Sequence, residues 1–337
     1  MSEAAPAHEA DTAQNVNERT TVPRRRWFGP ILAVPTPVIF AVAAALAVLL
    51  LWRQGRLVEI IDSMRDVQPG HVVAILLVYA GSILLLGVRW HALVGMAGGG
   101  PRWTSSAEVF LTSVIVNYAA PIGLAVPTRV ALTIRDLRLS PGQSGAVVGW
   151  EAALDVVALS VISAAWLILG GYDLVQTITV DGRVLALITI VAALAAIAMR
   201  FASRSAAIRS RIAPFAGRML SSPAEHPGLA FIAVALTGAF WITQIGVMAA
   251  LLGLFGVSVS PQLLLGIMGV PVLVGMLSPV PGGAGVREGL MAAAAGLGGT
   301  PAGPVVLAAV AYRLALFLVT PLVWGAVRFA RMAENRH

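Results

Sequence analysis

Ser278-Pro279-Val280-Pro281-Gly282-Gly283-Ala284-Gly285-Val286-Arg287-Glu288 interrupts an apolar stretch that runs from about residue 261 to 298. Proline removes a backbone donor and glycine loosens a helix. The freed backbone groups cannot face hydrocarbon, so a break of this kind must be buried in protein or line a wet cavity. The stretch, also punctuated by Pro271, therefore predicts a re-entrant hairpin: Pro279 and Pro281 stop an incoming helix, and Arg287 and Glu288 begin a short second one.

The surrounding chain supports a bilayer setting. Hydrophobic residues are 58% of the 337 and charged residues 12%, too little polar surface to cover a soluble domain. A helix needs roughly 20 apolar residues to cross a ~30 Å hydrocarbon core, and the charge-free run 31–51 supplies one. Six runs predict full spans, at about 30–52, 71–92, 145–169, 184–200, 229–254 and 304–327. A second interrupted stretch, about 104–128, is broken by Asn117, Pro121, Gly123 and Pro127 and predicts another re-entrant hairpin. The expected fold is an all-α membrane protein with about six full transmembrane helices plus two re-entrant helical hairpins. Residues 1–29 are expected to form a polar, disordered cytoplasmic tail, 30–328 the transmembrane domain, and 329–337 a short cytoplasmic tail.

All 23 basic residues are arginine, and the formal net charge is +7. In a soluble chain that balance would suggest nucleic acid. Here the arginines gather at span ends, where they set topology and meet anionic headgroups, so no nucleic-acid partner is expected. Arg24, Arg25 and Arg26 precede the first span and place the N-terminus in the cytoplasm. Arg25-Arg26-Trp27-Phe28 resembles a twin-arginine signal, but the apolar run is too long and more spans follow, which predicts an uncleaved anchor. The balanced 53–70 loop and the 171–182 loop, with Asp173 and Asp181, fall outside. Arg89 and Arg102, then Arg129, Arg135 and Arg138, then the arginine-rich 200–218 loop, and finally Arg328, Arg331 and Arg336 fall inside. The chain is thus expected in the inner (plasma) membrane with both termini cytoplasmic. The first hairpin then opens from the cytoplasm and the second from outside. Inverted halves with broken helices near the midplane are a transporter design.

The chain has no cysteine, and His8, His71, His91, His226 and His337 lack ligand spacing. Neither a metal site nor a cofactor is expected. Five charges lie within or at the edge of apolar segments: Glu151, Asp155, Arg287, Glu288 and Arg313. Each costs ~2.5–3.5 kcal/mol at the centre of a spanning helix, so such residues face the bundle interior and pair. Glu151 and Asp155, four apart, share one helix face. Arg313 has no acidic neighbour in sequence and should pair with Glu151, Asp155 or Glu288. Gly282, Gly283 and Gly285 let backbone approach closely. The helix start at Arg287 is a candidate anion site, and a guanidinium grips phosphate in two places. Glu288 in the first turn could instead cap that helix itself.

Residues 279–288 resemble the hallmark of the lysylphosphatidylglycerol synthase transmembrane-region family, also called the flippase-like domain. The resemblance extends to Asn117, Pro121 and Arg129, to Glu151 and Asp155, and to Tyr312 and Arg313, covering about residues 30–330. Ala125 and Val126 stand where the family usually carries a glycine and an acidic residue. Members are implicated in flipping aminoacylated phospholipids or in handling polyprenol-linked and other complex lipids. The bifunctional relatives continue into a soluble aminoacyltransferase domain, which this chain lacks, so it is not expected to be the synthase.

The expected function is a lipid flippase or lipid-binding transporter for a phospholipid or polyprenol-type lipid. Arg129, Arg287 and Arg313 would receive an anionic headgroup, with Glu151, Asp155 and Glu288 balancing charge or receiving a cationic one. The alternatives are an intramembrane enzyme, or a non-transporting partner of a lipid-modifying enzyme. Against an enzyme stands the lack of a nucleophile and base together: there is no cysteine, and no histidine falls in the expected core.

Overall fold

The computed structural model describes residues 68–119, 125–171, 217, 219, 221–278 and 283–336. The described residues are helical apart from short connections and contain no strand, the fold of an all-α membrane protein. Nine α-helices occur among them: α1 Pro69–Met96, α2 Trp103–Ala119, α3 Ala125–Leu137, α4 Pro141–Trp166, α5 Pro227–Leu254, α6 Pro261–Met268, α7 Val270–Leu277, α8 Val286–Leu297 and α9 Ala302–Glu334. Helix α4 runs into a single π turn, Leu167–Gly171.

Four helices, α1, α4, α5 and α9, are long and apolar enough to cross a membrane. They coincide with four of the six expected spans, starting two to four residues earlier than the apolar runs suggest. The expected spans at 30–52 and 184–200 lie outside the described residues, as do the break at 120–124 and residues 279–282.

The early starts have a local cause. In α1, α4 and α5, Pro69, Pro141 and Pro227 stand in the first turn, as Pro261 does in α6, where the missing N–H is not needed and the fixed φ is already helical. Ser140 adds a capping box to α4: its Oγ accepts from the Gln143 N–H, and Gln143 Oε1 accepts from the Ser140 N–H. Ser260 caps α6 through the Leu263 N–H at 3.1 Å.

The interrupted stretches are built alike. In each, a first leg packs against a shorter helix after the break: α2 against α3, and α6 and α7 against α8. A long span follows each pair, α4 in the first case and α9 in the second. The long spans are exchanged, because α9 packs along α2 while α4 packs along α6 and α7. The first leg of the second stretch is itself broken, just before Pro271, which stands in the first turn of α7. Gly269, at φ −83° and ψ −102°, ends α6 and starts α7. A Cβ there would lie 2.8 Å from Ser163 Oγ on α4, and one at Gly266 would lie 2.8 Å from Trp166 Nε1. Glycine at both places lets the broken leg press onto α4, as small residues do between membrane helices.

At the end of α9, Glu108 of α2 meets Arg331 at 2.8 Å and Arg328 at 3.4 Å. Thr104 donates to Glu334 at 2.8 Å, and Trp324 Nε1 donates to Thr112 at 3.0 Å.

Candidate functional site

The site starts from a charge that the sequence reading left at a span end. Arg89 lies on the core face of α1 and is 2% exposed. Its guanidinium forks onto Asp155 of α4, with Nη1 to Oδ1 at 2.6 Å and Nη2 to Oδ2 at 3.0 Å. Nη1 also donates to Thr237 of α5 at 3.3 Å, and Nη2 lies 3.7 Å from Glu151. Trp241 Nε1 of α5 donates to Asp155 Oδ1 at 3.1 Å. One arginine thus ties three spanning helices together.

Glu151 and Asp155 do share one face of α4, as their spacing predicts. Arg129, one turn into α3, pairs with Glu151 and donates from Nε to Ser113 of α2 at 2.8 Å. Its Cζ lies 4.9 Å from the Phe110 ring centroid and 5.4 Å from that of Trp90. Aromatic faces attract a cation while denying it water.

Arg287, in the first turn of α8, is different. Its Cζ lies 4.8 Å from the Tyr312 ring centroid. Nη2 is buried and has no hydrogen-bond partner among the described residues. Tyr312 in turn stacks edge-on against Tyr79 of α1 at 5.3 Å.

These groups converge on one cavity of about 260 Å³. Arg89, Arg129, Glu151, Asp155, Arg287 and Tyr312 line it, with Gln244 and apolar neighbours filling the remaining wall. A second hollow of about 380 Å³ lies between α4 and α5. It is walled by apolar side chains such as Val157, Val161, Val234 and Ile242, each more than half exposed. Trp241 lines both hollows, and Thr237, which lines the apolar one, accepts from Arg89 of the other.

The other sequence candidates lie elsewhere. Glu288 and Arg313 form a buried ion pair between α8 and α9 and do not line the cavity. Of the three partners considered for Arg313, Glu288 is the one it meets. Glu288 also caps α8, accepting from the Gly285 N–H at 2.7 Å, so the anion-site and capping readings of this helix start divide: Glu288 takes the backbone, and Arg287 faces the cavity. Gly283 and Gly285 adopt φ +66° and +81°, values that favour glycine. A Cβ at Gly283 would sit 2.6 Å from the Gly275 carbonyl oxygen, so the two legs touch backbone to backbone. Gly282 lies outside the described residues. Asn117 is in the last turn of α2.

Sequence reasoning missed Arg89, Thr237, Trp241 and Gln244. The signal for Arg89 was present: the apolar run continues through Ala92, Leu93 and Val94, so Arg89 is inside it rather than at its edge. Gln244 likewise interrupts an otherwise apolar span.

The chain matches the family model described as the lysylphosphatidylglycerol synthase TM region over residues 38–325. No individual curated protein matches it.

Proposed function

The chain belongs to the lysylphosphatidylglycerol synthase TM region family, a group of membrane proteins related to lipid handling, and on that premise we propose that it binds a membrane lipid and moves its headgroup across the bilayer. The observation that carries this reading is the cavity with five charged residues from four helices, set beside an apolar groove. Charges within spanning segments are expensive at ~2.5–3.5 kcal/mol each, and they mark substrate paths. A polar hollow next to an apolar one matches an amphiphile: the headgroup enters the first, and its chain lies in the groove on the other side of their shared wall residue, Trp241. Arg129 and Arg287 act on the headgroup, Glu151 and Asp155 balance their charge, and Arg89 sets the position of both carboxylates. Glu288, Arg313, Gly283 and Gly285 hold the second hairpin in shape. The paired hairpins with exchanged long spans fit an inverted repeat, and the arginine distribution puts both termini in the cytoplasm of the inner membrane.

Reconstitution tests the proposal. Liposomes containing the purified chain and tail-labelled phospholipid are treated with an impermeant quencher. Loss of the protected inner-leaflet signal, slowed in Asp155→Asn, is the expected result. Formation of a new lipid species would make the protein an enzyme instead. Neither flipping nor chemistry, from folded protein, would leave it a non-transporting partner of a lipid-modifying enzyme.

A further inference from the structure

The charges in the cavity are not evenly matched, and the surplus specifies a ligand. Three guanidiniums, from Arg89, Arg129 and Arg287, face two carboxylates, from Glu151 and Asp155, which leaves one positive charge. Both carboxylates are already engaged. Asp155 takes the fork of Arg89 and the Trp241 N–H, and Glu151 takes Arg129 with Arg89 behind it. An ammonium group arriving in the cavity would find no free carboxylate.

Two residues that line the cavity each carry one buried, unsatisfied polar atom. Arg287 Nη2 is a buried donor without a partner, and Gln244 Oε1 is a buried acceptor without one. The Gln244 amide nitrogen is held by Ser82 Oγ at 3.1 Å, which leaves its oxygen as the group on offer. Buried polar atoms are nearly always bonded in a finished structure, and leaving one unmade costs ~1–3 kcal/mol. A free guanidinium N–H suits a phosphate oxygen. A free amide oxygen suits a hydroxyl donor.

The geometry points to a headgroup that is a singly charged phosphodiester bearing a hydroxyl, bound with its phosphate on Arg287 and its hydroxyl on Gln244. This rests on the lipid reading above and narrows it: a lysine-esterified lipid, whose net charge is positive, is disfavoured in this cavity. Tyr312, under the Arg287 guanidinium, keeps the cation oriented toward the cavity.

Four lipids with identical acyl chains separate the contributions. Phosphatidylglycerol has the charge and the hydroxyls. Phosphatidylethanol has the charge alone, phosphatidylethanolamine is zwitterionic, and lysyl-phosphatidylglycerol is cationic. Each competes with tail-labelled phosphatidylglycerol for the full chain in nanodiscs. Phosphatidylglycerol should bind tightest, about tenfold or more above the zwitterionic and cationic lipids, the size expected for one charge-assisted hydrogen bond. Arg287→Ala should collapse the preference over phosphatidylethanolamine toward one, with Arg287→Lys intermediate because lysine lacks the fork. Gln244→Leu should collapse only the preference over phosphatidylethanol. Lysyl-phosphatidylglycerol binding as tightly as phosphatidylglycerol would overturn the inference while leaving the lipid reading intact. So would variant losses that are equal for all four lipids and follow the melting temperature. Inorganic phosphate and glycerol 3-phosphate are run as competitors without tails. If they displace the probe as effectively as the lipid, the anion site stands and the lipid reading falls. If folded protein binds none of the four lipids, both fall.

Discussion

Glu288 and Arg313, twenty-five residues apart, form a buried ion pair that repeats the pair of Arg129 and Glu151, twenty-two apart, with the charges exchanged. In each, the residue on the short helix after a break meets one about three turns into the long helix that follows. In the first half the arginine is on the short helix, and in the second it is on the long one. The first pair lines the cavity and the second does not. The same construction therefore lines the cavity in one half and packs away from it in the other.

Breaking the structural pair should destabilise more than it selects. Glu288→Gln or Arg313→Met leaves a buried charge alone, which costs ~3–5 kcal/mol. The exchange Glu288→Arg with Arg313→Glu should recover only part of that, because the cap on the Gly285 N–H is still lost. Thermal unfolding of the purified variants checks both statements; full recovery by the exchange would mean that the cap contributes nothing.

Arg89 should behave otherwise. Lysine keeps its charge but cannot reach both Asp155 oxygens and Glu151 at once. Arg89→Lys is expected to lower lipid translocation by about tenfold, one charged hydrogen bond's worth, with a small change in melting temperature. A loss of stability as large as that of Arg313→Met would assign Arg89 to the scaffold.

The two left-handed glycines should differ. At Gly285 a Cβ meets open space, so alanine carries only the backbone strain, ~1–2 kcal/mol. At Gly283 alanine adds a clash with the Gly275 backbone, starting from contacts of 2.6 to 2.8 Å. Gly283→Ala should therefore be the more damaging of the two by both expression and melting temperature.

Filling the groove tests where the chain of the lipid lies. Val157 and Ile242 are 60% and 72% exposed, so Val157→Trp and Ile242→Trp should fold normally. Each should slow translocation severalfold without altering competition by tail-less phosphate. Unchanged rates in both would place the chain elsewhere.

Topology can be read on an empty background, since the chain has no cysteine. Single cysteines at Tyr172 and Ser210 are treated with an impermeant thiol reagent in intact cells. Label at 172 and none at 210 is expected from the arginine distribution; the reverse would invert the orientation.

Much of the fold was legible in the sequence. Apolar runs of bilayer length and clusters of proline and glycine are local signals, and they marked α1, α4, α5, α9 and both interruptions. The spacing of Glu151 and Asp155 announced a shared face. What was not legible depends on tertiary packing. The place of Arg89 inside an apolar run was legible, but its partner was not, because Asp155 is brought against it from sixty-six residues away. Arg287 and Glu288 are neighbours in sequence with opposite fates, and only the turn of α8 separates the one facing the cavity from the one facing Arg313. Pro271 announced a break near Gly269, but that the break presses onto α4, leaving no room for a side chain at Gly269, depends on packing.

The crossing at Gly283 has a consequence for how this protein can change. Its opposing atoms are the peptide of Gly275, with no side chain from either leg between them. A clash between two side chains is relieved by shrinking either one, and an ion pair can be exchanged residue for residue. A methyl group against a carbonyl has no partner to trim. A search for second-site suppressors of Gly283→Ala should therefore return true revertants, while Arg129 with Glu151, or Glu288 with Arg313, can yield compensated doubles. The crossing therefore tolerates no local compensation, whereas the paired charges that line the cavity can change two at a time.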